Sequence, residues 1–268
     1  MAQYNNRPIG IFDSGVGGLT VLAKIQELLP NESTIYVGDT ANAPYGGKTP
    51  EALLRHGRDI INFLCSQNVK AVVFACGTTS STVYGQLATE FPQLPLVDVI
   101  RPAAKACIEL NQSRLGIIAT AATIKSGLLA QLIKARRPSM QIKTQACPLF
   151  MPMVEAGITH NHLAKWATET YVGNWKGEID ALVLGCTHYP LLTDALTGVL
   201  GKDVQYINLA TYTAQALSQK LAAIGCQCTD KTQAIHKYYV SGPPDAFNKT
   251  ARFILGSDPY AEHMCFNN

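Results

Sequence analysis

AVVFACGTTS (residues 71–80) and ALVLGCTHYP (residues 181–190) carry one pattern twice. In each, at least four apolar or small residues lead into a cysteine, and a Thr-containing polar turn follows. Neither run alternates between apolar and polar residues, which predicts strands buried on both faces, as in a parallel sheet covered by helices. The two cysteines, Cys76 and Cys186, are 186 − 76 = 110 residues apart. A shared period that long predicts two similar half-domains, because the repeats of solenoids are much shorter.

The rest of the chain fits the same scheme. PIGIF (8–12), TIYVG (34–38), LGIIA (115–119) and HKYYVSG (236–242) read as further strands. Helical patterns lie between them. LTVLAKIQELL (19–29) has apolar residues at Leu19, Leu22, Ala23, Ile25, Leu28 and Leu29 and stops at Pro30. PEALLRHGRDIINFLCSQ (50–67) begins with Thr49 as N-cap and Pro50 at the first helical position. The recurring βαβα order predicts an α/β fold with parallel sheets.

Composition narrows the function. Of 268 residues, 47% are apolar and 15% charged, so the chain can build a real core. A net charge of +3, with no basic run longer than a dipeptide such as Arg136-Arg137, argues against a nucleic-acid partner. No apolar run reaches the ~18 residues of a membrane span, and MAQYNNRPIGIFDSG lacks the apolar stretch of a signal peptide. A cytoplasmic protein is expected, with its eight cysteines as free thiols. Cys226-x-Cys228 and His160-Asn161-His162 lack second halves at zinc spacings, so no metal site is expected.

Ligands of open parallel sheets bind at the carboxyl ends of strands, so the chemistry is sought there. FDSGVGGLT (12–20) places Asp13 and Ser14 at a strand end, followed by a Gly-rich turn. It is neither a dinucleotide fingerprint nor a P-loop. GDTANAPYGGK (38–48) offers Asp39 as a carboxylate, and Pro44-Tyr45-Gly46 as backbone N–H groups and a phenol. Cys186-Thr187-His188 sets a thiol two residues from an imidazole, a neighbour that favours thiolate. From these residues alone, two arrangements remain open: a single Cys–His nucleophile, or two thiols facing each other across a pocket.

Seven ordered motifs then resemble the glutamate racemase family of cofactor-independent amino-acid racemases. They are IGIFDSGVGGLTV (9–21), YVGDTANAPYG (36–46), AC-x-T (75–78), ATIKSG (122–127), CPLFMPMVEAG (147–157), LVLGCTHYPLL (182–192) and YYVSGPPDAF (238–247). The resemblance implies two α/β domains related by a pseudo-twofold, residues 1–98 plus 210–268 and residues 99–209, with the active site between them. It implies no cofactor, L- and D-glutamate as substrate, a homodimer, and supply of D-glutamate for bacterial peptidoglycan. Cys76 is expected to deprotonate the D enantiomer with help from Asp13, and Cys186 the L enantiomer with help from His188. Glu155 and Asp39 are further candidate helpers. Asp13, Ser14, Pro44, Tyr45, Gly46, Gly77, Thr78, Thr120, Thr123, Thr187 and His188 are the expected substrate contacts.

The sequence departs from the family pattern at five positions. Gly77 stands where Asn is usual, and restoring the amide is expected to be tolerated and to alter mainly affinity. Asp98, Arg101 and Ala103 replace Gly, Glu and Gly, and Asn208 stands where Asp is common. Two other readings share the scaffold: an aspartate racemase or other amino-acid racemase, and a thiol-dependent decarboxylase, although the latter needs only one of the two cysteines. A third is a non-catalytic binding protein, whose expected sign, loss of a thiol or its helper, is missing from the sequence.

Overall fold

The computed structural model describes residues 6–228 and 233–266. The chain opens with β1 (Ile9–Asp13), α1 (Leu19–Leu28), β2 (Thr34–Gly38), α2 (Pro50–Ser66), β3 (Ala71–Phe74), α3 (Gly77–Thr82), α4 (Tyr84–Glu90) and β4 (Leu96–Asp98). α5 (Ile100–Ile108) leads into β5 (Arg114–Ala119), α6 (Ala121–Ser126), α7 (Leu128–Arg136), β6 (Gln141–Ala146), α8 (Phe150–Glu155), α9 (His162–Val172), β7 (Ala181–Leu184), α10 (Thr193–Leu200) and β8 (Gln205–Asn208). α11 (Leu209–Ala223) leads to β9 (His236–Val240), α12 (Pro244–Leu255) and β10 (Glu262–His263).

The strands form two sheets, one six-stranded in the order β10-β9-β2-β1-β3-β4 and one four-stranded in the order β6-β5-β7-β8. Every pairing among the described residues is parallel. β1, β2 and β3 are buried along their whole length, as their unbroken apolar runs require. The last stretch of chain returns to the first sheet through β9, which pairs with β2. Sheet membership changes after β4 and again after β8.

Successive side chains of a strand face opposite ways, and the core divides accordingly. Ile9 and Ile11 of β1, Ala71 and Val73 of β3, Leu115 and Ile117 of β5, and Ala181 and Val183 of β7 share one apolar cluster. That cluster also takes in Leu22 and Ile25 of α1, Ala103 and Cys107 of α5, Ile133 of α7, and Leu217 and Leu221 of α11. Phe12 and Phe74 point to a second cluster under α2, and Ile118, Leu182 and Leu184 to a third around Phe150.

Helix ends follow local chemistry. The Thr49 hydroxyl accepts from Ala52 N at 3.3 Å and Pro50 occupies the first turn, so α2 starts where the sequence places it. α1 ends at Leu28, just before Pro30. Two of the departures from the family pattern are caps on the helices that join the sheets. Asp98 accepts from Ile100 N at 2.7 Å and Arg101 N at 2.9 Å at the start of α5. Asn208 accepts from Ala210 N at 2.9 Å at the start of α11. The Arg101 guanidinium folds back to Asp98 at 3.1 Å and lies 4.4 Å over the Tyr84 ring.

Candidate active site

The carboxyl ends of β1, β3, β5 and β7 converge on one cavity. It is lined by Asp13, Ser14, Tyr45, Gly46, Cys76, Gly77 and Thr78 from the first sheet's side, and by Thr120, Met151, Gly185, Cys186, Thr187 and His188 from the second's. Cys76 leaves β3 as the N-cap of α3 and Cys186 follows β7, so the repeated sequence pattern delivers one thiol from each sheet. Both are nearly buried, at 6% and 7% exposure. The cavity volume is about 20 Å³, enough for about one water.

Each thiol has its own proton partners. Sγ of Cys186 lies 3.7 Å from His188 Nδ1, and His188 Nε2 lies 3.2 Å from Oε1 of Glu155, whose side chain is 41% exposed. Thiol, imidazole and carboxylate thus form a line from the cavity to solvent. Burial opposes a charge on His188, but its hydrogen bonds to Cys186 and Glu155, with the nearby charge of Asp13, outweigh that and lift its pKa to about 10. On the other side, Cys76 Sγ donates to Ser14 Oγ at 3.9 Å. Burial pushes the Cys76 thiol up to about 11, and the Asp13 charge adds to the rise. Asp13 is itself raised by burial, against the pull of His188 and of the N–H groups of Gly15 and Gly18. Its Oδ1 accepts from Gly15 N at 2.8 Å, which ties the Gly-rich turn to the end of β1.

The remaining expected residues stand just behind the lining. Thr123 is reached through Thr120, whose hydroxyl donates to it at 3.0 Å. The Thr120 hydroxyl also meets that of Thr78 at 3.1 Å, closing the cavity between the sheets. Asp39 is fully buried and is not among the residues that line the cavity. It accepts from Tyr45 OH at 2.6 Å, Ser241 Oγ at 2.6 Å and Asn42 Nδ2 at 3.0 Å. Pro44 precedes the Tyr45–Gly47 turn without lining the cavity itself.

Met151 and Gly185 line the cavity and are not among the residues expected from sequence. Both fall within the quoted motifs, CPLFMPMVEAG (147–157) and LVLGCTHYPLL (182–192), but neither carries a titratable group to single it out. Gly185 was nonetheless adjacent to Cys186, which is a cue. Restoring an amide at Gly77 requires local backbone movement: a Cβ there would stand 2.9 Å from the carbonyl oxygen of Gly185. None of Asp98, Arg101, Ala103 and Asn208 lines the cavity, so those departures act on the connecting helices. Among the described residues, no group of three His, Cys, Asp or Glu side chains is arranged to hold a metal ion, and no helix is long and apolar enough to cross a membrane.

Comparison with known proteins bears on the family. Residues 9–217 match the family model described as Asp/Glu/Hydantoin racemase. A glutamate racemase of Geobacter metallireducens is 40% identical over 93% of this chain and 93% of its own. One from Streptococcus suis is 37% identical over 97% of this chain and 99% of its own. A crystal structure of glutamate racemase from Francisella tularensis in complex with D-glutamate superposes with a TM-score of 0.91, at 32% identity, over 98% of this chain and 99% of that one. The chain belongs to the Asp/Glu/Hydantoin racemase family, and it resembles that family's glutamate racemases over nearly its whole length.

Proposed function

We propose that this protein is a glutamate racemase, an isomerase that interconverts L- and D-glutamate by proton transfer at Cα between Cys76 and Cys186, with no cofactor. The observation that carries the proposal is the pair of thiols: two nearly buried cysteines, one from each sheet, line a single cavity, each beside its own titratable partner. Glutamate is proposed as substrate because relatives at 35–40% identity bear the name glutamate racemase.

The chemistry follows from those partners. The Cys76 thiolate removes the Cα proton of D-glutamate, and the electron pair of the broken C–H bond passes into the α-carboxylate. The Cys186 thiol then delivers its proton to the opposite face of Cα, leaving a thiolate, and L-glutamate departs. The reverse direction starts at Cys186. Asp13 exchanges protons with Cys76, while His188, backed by Glu155, does so with Cys186. With water squeezed out, these interactions act at close to full strength. Ser14, Tyr45, Gly46, Gly77, Thr78, Thr120, Thr123 and Thr187 offer hydroxyl and backbone groups to the substrate's ammonium and carboxylates. Asp39 serves by fixing Tyr45, and Pro44 by shaping the same turn.

The same reading divides the chain into residues 1–98 plus 210–268 and residues 99–209 as the two moving halves. It also assigns a cytoplasmic bacterial homodimer supplying D-glutamate for peptidoglycan, hence for cell-wall biogenesis and cell shape. The test is incubation of L-glutamate, D-glutamate and L-aspartate in D₂O with no cofactor added. Loss of optical activity with Cα deuteration is expected for both glutamates. Inversion of L-aspartate alone, or release of CO₂, would replace this reading with an aspartate racemase or a decarboxylase.

A further inference from the structure

We propose that Gly77 is a positioning residue: its missing side chain lets the two thiol-bearing segments close against each other, and so sets the size of the closed cavity. This rests on the reading of that cavity as the substrate site. Gly77 directly follows Cys76, and Gly185 directly precedes Cys186, so the contact between them joins the two proton-transfer groups by the shortest backbone route. A Cβ on Gly77 would stand 2.9 Å from Gly185 O and 3.7 Å from Thr123 Oγ1.

Gly185 has no room to retreat. Its N–H donates to Ile118 O at 2.7 Å, and a Cβ of its own would stand 2.7 Å from that oxygen and 2.9 Å from Ala119 Cβ. The carbonyl is therefore pinned to β5. A side chain at 77 has to move the segments apart rather than nudge one atom. A second close approach lies on the other flank of Cys186. A Cβ on Gly17 would fall 2.4 Å from His188 Nδ1 and 2.5 Å from Thr187 Oγ1, while the Thr20 hydroxyl donates to Thr187 O at 2.9 Å. Segment 185–188 is thus gripped between two side-chain-free positions of the first half.

The cavity so closed holds about 20 Å³, far less than a dicarboxylic amino acid. The halves must part to admit substrate and then return to a separation that both thiols can span. Gly77 acts on that return. It touches Gly185 where a longer residue would hold the faces apart, and proton transfer loses rate steeply with misplacement of reacting atoms.

The test compares wild type with Gly77→Ala and Gly77→Asn. The first measurement needs no substrate: iodoacetamide alkylation of each cysteine, followed by peptide mass mapping. Cys76 and Cys186 are expected to react about five- to thirtyfold faster in Gly77→Ala. The exposed Cys65 and Cys265 should keep their rates, and the buried Cys107 and Cys147 should stay unreactive. Unchanged rates at Cys76 and Cys186 overturn the proposal. So does an equal acceleration at Cys107 and Cys147, which would assign Gly77 to global stability instead. The second measurement is kinetic. In Gly77→Ala, kcat with glutamate should fall about tenfold or more, and the kcat/KM ratio of 2-aminoadipate to glutamate should rise. Wild-type kcat with an unchanged ratio overturns the proposal. A wild-type protein inactive on glutamate would instead sink the racemase reading and leave the alkylation result standing.

Discussion

Nδ1 of His188 lies 3.7 Å from Sγ of Cys186, whereas the sulfur of Cys76 meets the Ser14 hydroxyl and, among the described residues, bonds to no imidazole. The two halves repeat a strand and a cysteine but not the group that shares the cysteine's proton. One thiol communicates with solvent through His188 and Glu155, and the other sits beside the buried Asp13.

That asymmetry gives each thiol a separable signature. Cys76→Ala and Cys186→Ala should each lower racemisation by about 10²–10⁴-fold while keeping the wild-type circular dichroism spectrum. In D₂O, the variant that retains Cys76 should exchange the Cα proton of D-glutamate without inverting it. The variant that retains Cys186 should do so with L-glutamate only. Racemisation at the wild-type rate by either variant would rule out the two-thiol mechanism.

His188 ties stability to pH. Its folded pKa, about 10, lies above its ordinary 6.5, so the folded state holds the proton more tightly than the unfolded one. The resulting stabilisation is complete below pH 6.5 and is lost as pH rises through 10. Cys76, raised from 9.0 to about 11, changes stability in the same direction but only above pH 9. Urea unfolding between pH 6.5 and 9 should therefore show stability falling with pH, and His188→Gln should flatten the fall. An equally steep fall in His188→Gln would assign it to other groups.

Asp39 acts through Tyr45. Its carboxylate is spent on Tyr45, Ser241 and Asn42, and hydrogen bonds to a charged group are worth about 1.5–3 kcal/mol each. Asp39→Ala should destabilise by that order and raise KM by loosening the Tyr45–Gly46 turn. Asp39→Asn should recover much of the stability and keep kcat within about tenfold of wild type. A collapse of kcat in Asp39→Asn with KM unchanged would place Asp39 in the proton transfer itself.

Away from the site, Lys70 and Glu32 form a fully buried ion pair at 2.5 Å, and Glu32 also accepts from Cys228 N at 2.8 Å. Lys70→Met leaves a carboxylate buried without its cation, which costs about 3–5 kcal/mol. The double variant Lys70→Met/Glu32→Leu should recover a large part of that in chemical denaturation. A single variant as stable as wild type would show that Glu32 finds other compensation.

The strands legible in the sequence are β1, β2, β3, β5, β7 and β9, and those missed are β4, β6, β8 and β10. The missed four are the edges of the two sheets. The interior strands β1, β2, β3 and β7 are buried on both faces and so are written largely in apolar residues. An edge strand such as QIKTQA (141–146) is largely exposed and reads as loop. The thiols and His188 were legible because reactive side chains at strand ends carry chemistry of their own. Met151 and Gly185 carry none. The partnership of Asp39 with Ser241 spans 202 residues and becomes visible only once β9 returns beside β2. Gly77 showed in the sequence as a missing amide. Its contact with Gly185 required the two halves to be brought face to face.

The apolar cluster that gathers residues of both sheets around α1, α5, α7 and α11 has a consequence for how the molecule moves and melts. The halves are not beads on a string. Both are rooted in the same oily fulcrum, and neither can leave it without wetting the other's interior. Because that cluster draws on both sheets, its loss exposes apolar surface of both, and the two sheets are expected to unfold together in one cooperative transition.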